Sequence, residues 1–132
     1  MKVYYPGLSD QCREYAAALL PDLIITAREY GYALALHGSV ARDLDLVAIP
    51  WIPEAWDAPD LVEALRKTAE RVSPNKVAFI HKDRPGRDPE QKPHGRLAWA
   101  IHLGRGVYID LSVIPKLPSP ADPGAPEVKA PA

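Results

Sequence analysis

The sequence predicts a single α/β or α+β domain, a mixed β-sheet with helices packed on it. Three observations carry this reading. Helical and strand periodicities follow one another as helix, two strands, helix, three strands, an order that suits a sheet with helices laid against it. The chain has 132 residues, which suits one domain around one core. Hydrophobic residues make up 47% and charged residues 25%, as in ordinary globular proteins.

The elements can be justified in order. Ser9 is placed to cap a helix starting near Asp10. Ala16, Leu19, Leu20, Leu23, Ile24 and Ala27 keep helical spacing straight past Pro21, so either two helices meet there or one helix kinks. Gly31 suits the C-terminal cap. "YALALH" (32–37) and "LDLVAI" (44–49) read as strands. Asp60 to Val72 places Leu61, Val62, Leu65, Ala69 and Val72 on one helical stripe. "KVAFIH" (76–81) is a third strand. "RLAWAIHL" (96–103) and "GVYIDLSVI" (106–114) flank Gly104-Arg105-Gly106, the signature of a tight hairpin.

Two segments fall outside this pattern. "HKDRPGRDPEQKPHGR" (81–96) carries three prolines and two glycines, so it reads as a long loop between strands. Its Lys82, Arg84, Arg87, Lys92 and Arg96 outnumber Asp83, Asp88 and Glu90. It is read as a solvated hairpin loop or as a basic flap over a triphosphate or an RNA. The end of the chain, "PKLPSPADPGAPEVKAPA" (115–132), holds six prolines and almost no large apolar residue. Such a segment buries too little surface to offset its ordering entropy. The expected organisation is a folded domain over 1–114 and a disordered proline-rich tail over 115–132.

Composition also excludes several classes. The net charge is −1, so no global field draws the protein to nucleic acid or to a membrane surface. Cys12 is the only cysteine, which excludes a disulfide framework and a thiolate metal site. His37, His81, His94 and His102 lack zinc-site spacing. No apolar run is long enough to span a bilayer, and "MKVYYPGLSD" lacks the apolar core of a signal peptide. A cytoplasmic location with no membrane partner is the expectation. Trp51, Trp56 and Trp99 are expected in the core or at its rim, with Trp51 and Trp56 also able to form a stacking wall.

The stretch "HGSVARDLDLVAIPW" (37–51) is where chemistry shows. Side chains alternate along a strand, so Asp43 and Asp45 share a face, opposite Leu44 and Leu46. Burying unpaired carboxylates side by side is costly, and a divalent cation is the natural compensation. Mg2+ or Mn2+ suits a few carboxylates with phosphate oxygens and water. The Gly38-Ser39 turn just upstream can offer backbone N–H groups to a phosphate. In the last strand, Asp110 lies between Ile109 and Leu111 and shares a face with Tyr108 and Ser112. Should that strand neighbour the first acids, three carboxylates meet. Such a group can hold two metal ions about 3.5–4 Å apart and support in-line displacement at phosphorus.

These residues resemble the DNA polymerase β-type nucleotidyltransferase superfamily over roughly residues 20–114. "LALHGS" is similar to the family's apolar strand ending in Gly-Ser, "DLDLVAI" to its Asp-x-Asp opening the next strand, and "YIDLSVI" to the later strand bearing a third acid. The resemblance implies a nucleotidyltransferase-like core. It implies that Gly38 and Ser39 contact nucleotide phosphates, that Asp43 and Asp45 bind both metals, and that Asp110 binds the catalytic metal and helps activate an acceptor hydroxyl. Arg42, in the loop between, is read either as a solvent-facing residue or as a screen for the acids or a phosphate. Only Val40, Ala41 and Arg42 separate Gly-Ser from Asp43, where the family has a longer loop, and no room is left for the helical domain that many members add.

The expected activity is transfer of a nucleotidyl group from an NTP to an acceptor hydroxyl on an RNA, a protein or a small molecule, with Mg2+ or Mn2+ as cofactor. One alternative is a non-catalytic member of the same fold that binds a nucleotide or a partner, for instance in a toxin–antitoxin or phage-defence pair. Another is a small interaction module whose aspartates are structural hydrogen-bond acceptors.

Overall fold

The structure, a computed structural model, describes residues 7–80 and 90–116. It is a mixed α+β arrangement of two helices on a mixed sheet. Helix α1 runs unbroken from Leu8 to Glu29. Gly7 precedes it in a left-handed conformation, and no side chain caps its first turn. Ser9 lies within that turn instead of before it, so the expected Ser9 cap is not formed. Of the two options at Pro21, the single helix holds. Proline removes the hydrogen bond to the carbonyl of residue 17. Pro21 and Ala17 are both exposed, so water can serve the freed carbonyl, while Leu19, Leu23 and Ala27 on the opposite side are buried. Gly31 ends the helix at φ 88, and a Cβ there would lie 2.7 Å from Ala55 Cα. Both the conformation and the space require glycine.

Strand β1 (Tyr32–His37) and strand β2 (Leu44–Pro50) pair antiparallel, with Tyr32 opposite Pro50 and His37 opposite Asp45. Helix α2 (Ala58–Val72) packs on α1, and a 2.7 Å hydrogen bond between the Thr26 and Thr68 hydroxyls ties the two. Arg66 pairs with Glu63 and Glu70 and donates to the Ala78 carbonyl at 3.2 Å, which pins α2 to the approach of the next strand.

That strand, β3, is only Phe79–Ile80 among the described residues. Lys76, expected in it, is left-handed at φ 57. Ser73 Oγ accepts the Val77 N–H at 3.2 Å, so a local turn occupies the backbone groups a ladder would need. A second short strand, β4 (Glu90–Gln91), corrects the reading of 81–96 as loop throughout, and a 3-10 turn at Pro93–Gly95 follows it. The rest of that segment, including His81, Lys82, Arg84 and Arg87, lies outside the described residues. Strands β5 (Leu97–His102) and β6 (Tyr108–Val113) form the expected hairpin. Gly104, Arg105 and Gly106 all have positive φ, and the Leu103 N–H meets the Val107 carbonyl at 2.9 Å.

The sheet order is β1-β2-β6-β5-β3, with β4 sharing the outer edge of β5. Among the described residues only β2 and β6 pair in parallel. One face carries Leu34, Leu44, Leu46, Ala48, Trp99, Ile101, Ile109, Leu111 and Val113, all buried in the same core as Leu19, Leu23, Leu61 and Leu65 of the helices. The helices therefore cover one face. No described element covers the other, which carries Ala33, Ala35, Asp45, Val47, Ala98, Ala100, Asp110 and Ser112. Trp99 is a core residue, whereas Trp51 and Trp56 are exposed, the latter tilted against Tyr30 at 5.2 Å.

The packed chain continues to Lys116, whose Nζ donates to the Ala55 carbonyl at 2.8 Å and pairs with Asp57 at 3.1 Å. The reading of 117–132 as a disordered tail lies outside the described residues. No helix among those described is long and apolar enough to cross a membrane.

One-sided cover makes a stability prediction. Leu111→Ala, on the covered face of a central strand, is expected to cost about 2–5 kcal/mol in urea unfolding. Ile25→Ala, on the exposed side of α1, is expected to stay within about 0.5 kcal/mol. Equal costs at the two positions would contradict the assignment of faces.

Candidate active site

The acids converge through strand pairing. In the parallel β2–β6 ladder, Asp45 stands directly opposite Asp110. Register partners share a face, so both carboxylates leave the sheet on its open side. Asp43 precedes the first residue of β2 in a bend and turns to the same point. One carboxylate oxygen from each of Asp43, Asp45 and Asp110 lies within 4.8 Å of the others. All three residues are half-buried, not enclosed, because the face that bears them is open.

Gly38 explains how the turn reaches them. Its φ is 79, and a Cβ would sit 2.7 Å from Asp45 Oδ2. Glycine thus lets the backbone of the turn lie against the Asp45 carboxylate. Ser39 follows on the exposed side of the turn. Val40 then adopts φ 57 while packing partly against the core. A β-branched residue rarely takes this conformation, so the three-residue link to Asp43 carries local strain. Arg42 is exposed, as the solvent-facing reading expects, and makes no ion pair among the described residues.

The electrostatics match the crowding. Burial pushes the Asp45 carboxyl above its ordinary value, and the charges of Asp43 and Asp110 push it further. A hydrogen bond with Asp43, possible only when one carboxyl keeps its proton, acts the same way, and His37 opposes it. The Tyr108 phenol, hydrogen-bonded to Asp43, is pushed up to about 12 by burial, that bond and the charges of the three acids. Cys12 is fully buried in the first turns of α1, and its thiol is raised by burial and then by Asp43.

The donor set is three carboxylates and no sulfur, hard oxygen ligands that fit Mg2+ or Mn2+ better than a softer ion. The arrangement can concentrate negative charge beside a glycine turn and hold a cation against a phosphate. The part sequence reasoning missed is Tyr108 as donor to Asp43. Its signal was present, since Tyr108 alternates onto the same face as Asp110.

Fold and site together define an α+β protein with a carboxylate cluster seated on an open sheet face beside a glycine turn. Comparison with protein-family models, curated proteins and solved structures finds no match for this chain.

The raised Asp45 carboxyl fixes the sign of a pH effect. Between its ordinary and its raised value, the folded state binds more protons than the unfolded one, so stability falls as pH rises through that window. Asp45→Asn is expected to flatten this slope. It is also expected to raise the melting temperature of the metal-free protein at pH 7 by up to about 4 °C, under about 1 kcal/mol for a domain of this size. Thermal melts across pH 4–8 check it, and a destabilised Asn variant would show that the carboxylate is a needed acceptor.

Proposed function

We propose that the chain is a metal-dependent nucleotidyltransferase, with the β1, β2 and β6 region as a nucleotidyltransferase-like core. The observation that carries the reading is the register pairing of Asp45 with Asp110 in parallel strands, with Asp43 and the Gly38 turn against the same carboxylate. Each of the three carboxylates raises the cost of ionising the others, a cost that a divalent cation would offset.

In this reading Asp43, Asp45 and Asp110 hold one or two divalent cations, which neutralise charge and polarise phosphate oxygens when bound. Gly38 and Ser39 receive the triphosphate through backbone N–H groups. The acceptor hydroxyl lies by Asp110. Its oxygen bonds to the α-phosphorus, the bond from that phosphorus to the bridging oxygen breaks, and pyrophosphate leaves with the electron pair. The hydroxyl proton passes to the Asp110 carboxylate and on to water. The rate gain comes from placement and electrostatics more than from covalent chemistry.

A non-catalytic member of the same fold is the second reading. The Tyr108 phenol beside Asp43 favours it, since it competes with a cation for that carboxylate.

Ligand linkage separates the two from a structural role. A ligand bound only by the folded state adds about 2.7 kcal/mol at a hundredfold excess over its Kd. Mn2+ with the matching NTP is expected to raise the melting temperature, and Asp110→Asn to abolish the rise. Labelled NTP with Mn2+ and cell extract then reports transfer. No response to any NTP with Mn2+ would sink both nucleotide readings.

A further inference from the structure

Among the described residues the sheet ends on one side at β1, and no strand pairs with the outer edge of β1. Two hydrogen bonds fix which of its backbone groups point outward. The Trp51 N–H donates to the Gly31 carbonyl at 3.1 Å, and the Ala48 carbonyl turns away from β1 to accept the Ile114 N–H at 2.9 Å. In an antiparallel ladder the residues that exchange bonds alternate. Ala33, Ala35 and His37 therefore bond to β2, while the N–H and C=O groups of Tyr32, Leu34 and Leu36 point outward. Folded proteins blunt such an edge with charge, proline, a bulge or a very short strand. The strand "YALALH" runs six residues in unbroken register with β2 and holds no proline and no Asp, Glu, Lys or Arg.

The helix above this edge is unfinished on the same side. Helix α1 lies over β1 and α2 lies toward β3, and Thr26 marks the side of α1 that meets α2. At 3.6 residues per turn, Leu20 and Ile24 lie about 120° and 160° round from Thr26, on the flank above the free edge of β1. Both are only half-buried. Leu36 completes the strip. It shares the helix-covered face with Leu34 and stands opposite Leu46, yet it is 38% exposed where Leu46 is 1% exposed.

We propose that β1 pairs antiparallel with β1 of a second copy of this chain, giving a two-fold dimer with one continuous sheet and the two α1 flanks in contact. Three observations select a second copy. A neutral strand with outward donors and acceptors at alternate residues is its own antiparallel complement. The far edge of the described sheet offers no comparable match, because β3 and β4 have two residues each and the Glu90–Lys92 ion pair stands there at 2.9 Å. Self-pairing of β1 therefore closes as an isologous pair and does not propagate. A stable interface buries about 800 Å2 per partner. Six residues of backbone edge do not reach that, and the flank with Leu20, Ile24 and Leu36 adds apolar area beside them.

The pairing that uses every outward group sets Leu34 opposite the partner's Leu34, Tyr32 opposite the partner's Leu36 and Ala33 opposite the partner's Ala35. It also carries the partner's His37, next to its glycine turn, to the Gly31 end of β1. Trp51 is bonded to Gly31 there and is 62% exposed. Each copy thus lends an aromatic wall to the turn of the other. The dimer rests on the edge and the flank, and not on the transfer reading.

Sedimentation of the full chain tests the dimer. At about 100 μM, a hundredfold above a Kd of about 1 μM, nearly all of the protein is expected at twice the chain mass. Leu36→Lys places a charge at the edge and is expected to weaken association at least about tenfold while melting cooperatively. Register is read with cysteines on the exposed face. Ala33→Cys bearing one tag is mixed with Ala35→Cys bearing another and oxidised. A mixed disulfide is expected, because opposed side chains stand about 4.5–5.5 Å apart at Cβ. Either variant alone is expected to stay uncross-linked, since its two cysteines stand on a diagonal of about 7–8 Å. A monomer at that concentration overturns the proposal. So does a dimer that tolerates Leu36→Lys and gives no mixed disulfide, which would place the contact on another surface. Should Leu36→Lys fail to fold, the disulfide pattern decides: the mixed cross-link supports the edge, and its absence overturns it. A dimer with the mixed disulfide but no melting response to Mn2+ with any NTP overturns transfer and keeps the edge.

Discussion

The parallel pairing of β2 with β6 is the constraint on which the rest depends. It is the only parallel contact among the described residues, and it requires the chain to cross over through α2, β3 and the β5 hairpin before β6 can lie beside β2. Its register sets Leu46 against Leu111 and Ala48 against Val113 beneath the helices, and by the same stroke sets Asp45 against Asp110 on the open face. A slip of one residue would turn Asp110 into the core and Leu111 to water. The apolar packing therefore holds the acids together against their own repulsion. The hydrophobic effect on one face stabilises an electrostatically unfavourable arrangement on the other.

The two faces divide the work. Burial of Leu19, Leu23, Leu61, Leu65, Ile101 and Ile109 fixes the frame. The open face keeps small residues and polar groups, so ligands can approach the strands from the side. Strain falls on the short link from Gly38 to Asp43, where Val40 takes a left-handed conformation. Gly38 accepts the close approach of Asp45 that no other residue allows. Tyr108 completes the cluster from the next row of β6 and joins it to the rings of His102 and Phe79.

Much of this was legible in the sequence, for reasons that differ by element. The strands at 32–37 and 44–49 and the hairpin at Gly104–Gly106 follow from local alternation and turn chemistry, which need no partner. The convergence of Asp43, Asp45 and Asp110 on one face also follows from alternation, once β2 and β6 are neighbours. The continuity of α1 through Pro21 was not decidable, because it depends on which side of the helix faces water. The truncation of β3 depends on Ser73 reaching Val77, a side-chain contact that periodicity does not encode. Strand β4 is two residues in a stretch rich in proline, and only its edge partner Leu97–Ala98 makes it a strand. The openness of the acid face was hidden because Ala33 and Ala35 count as apolar residues yet are exposed, and Ala100 is only half-buried.

The central claim is that three carboxylates are held together to receive a divalent cation. Crystals soaked in Mn2+ and measured at the manganese absorption edge test it directly. The account predicts an anomalous peak among Asp43, Asp45 and Asp110, with the Tyr108 hydroxyl displaced from Asp43. Manganese bound elsewhere or not at all, with the Tyr108–Asp43 bond intact, would contradict it and leave the acids as structural acceptors.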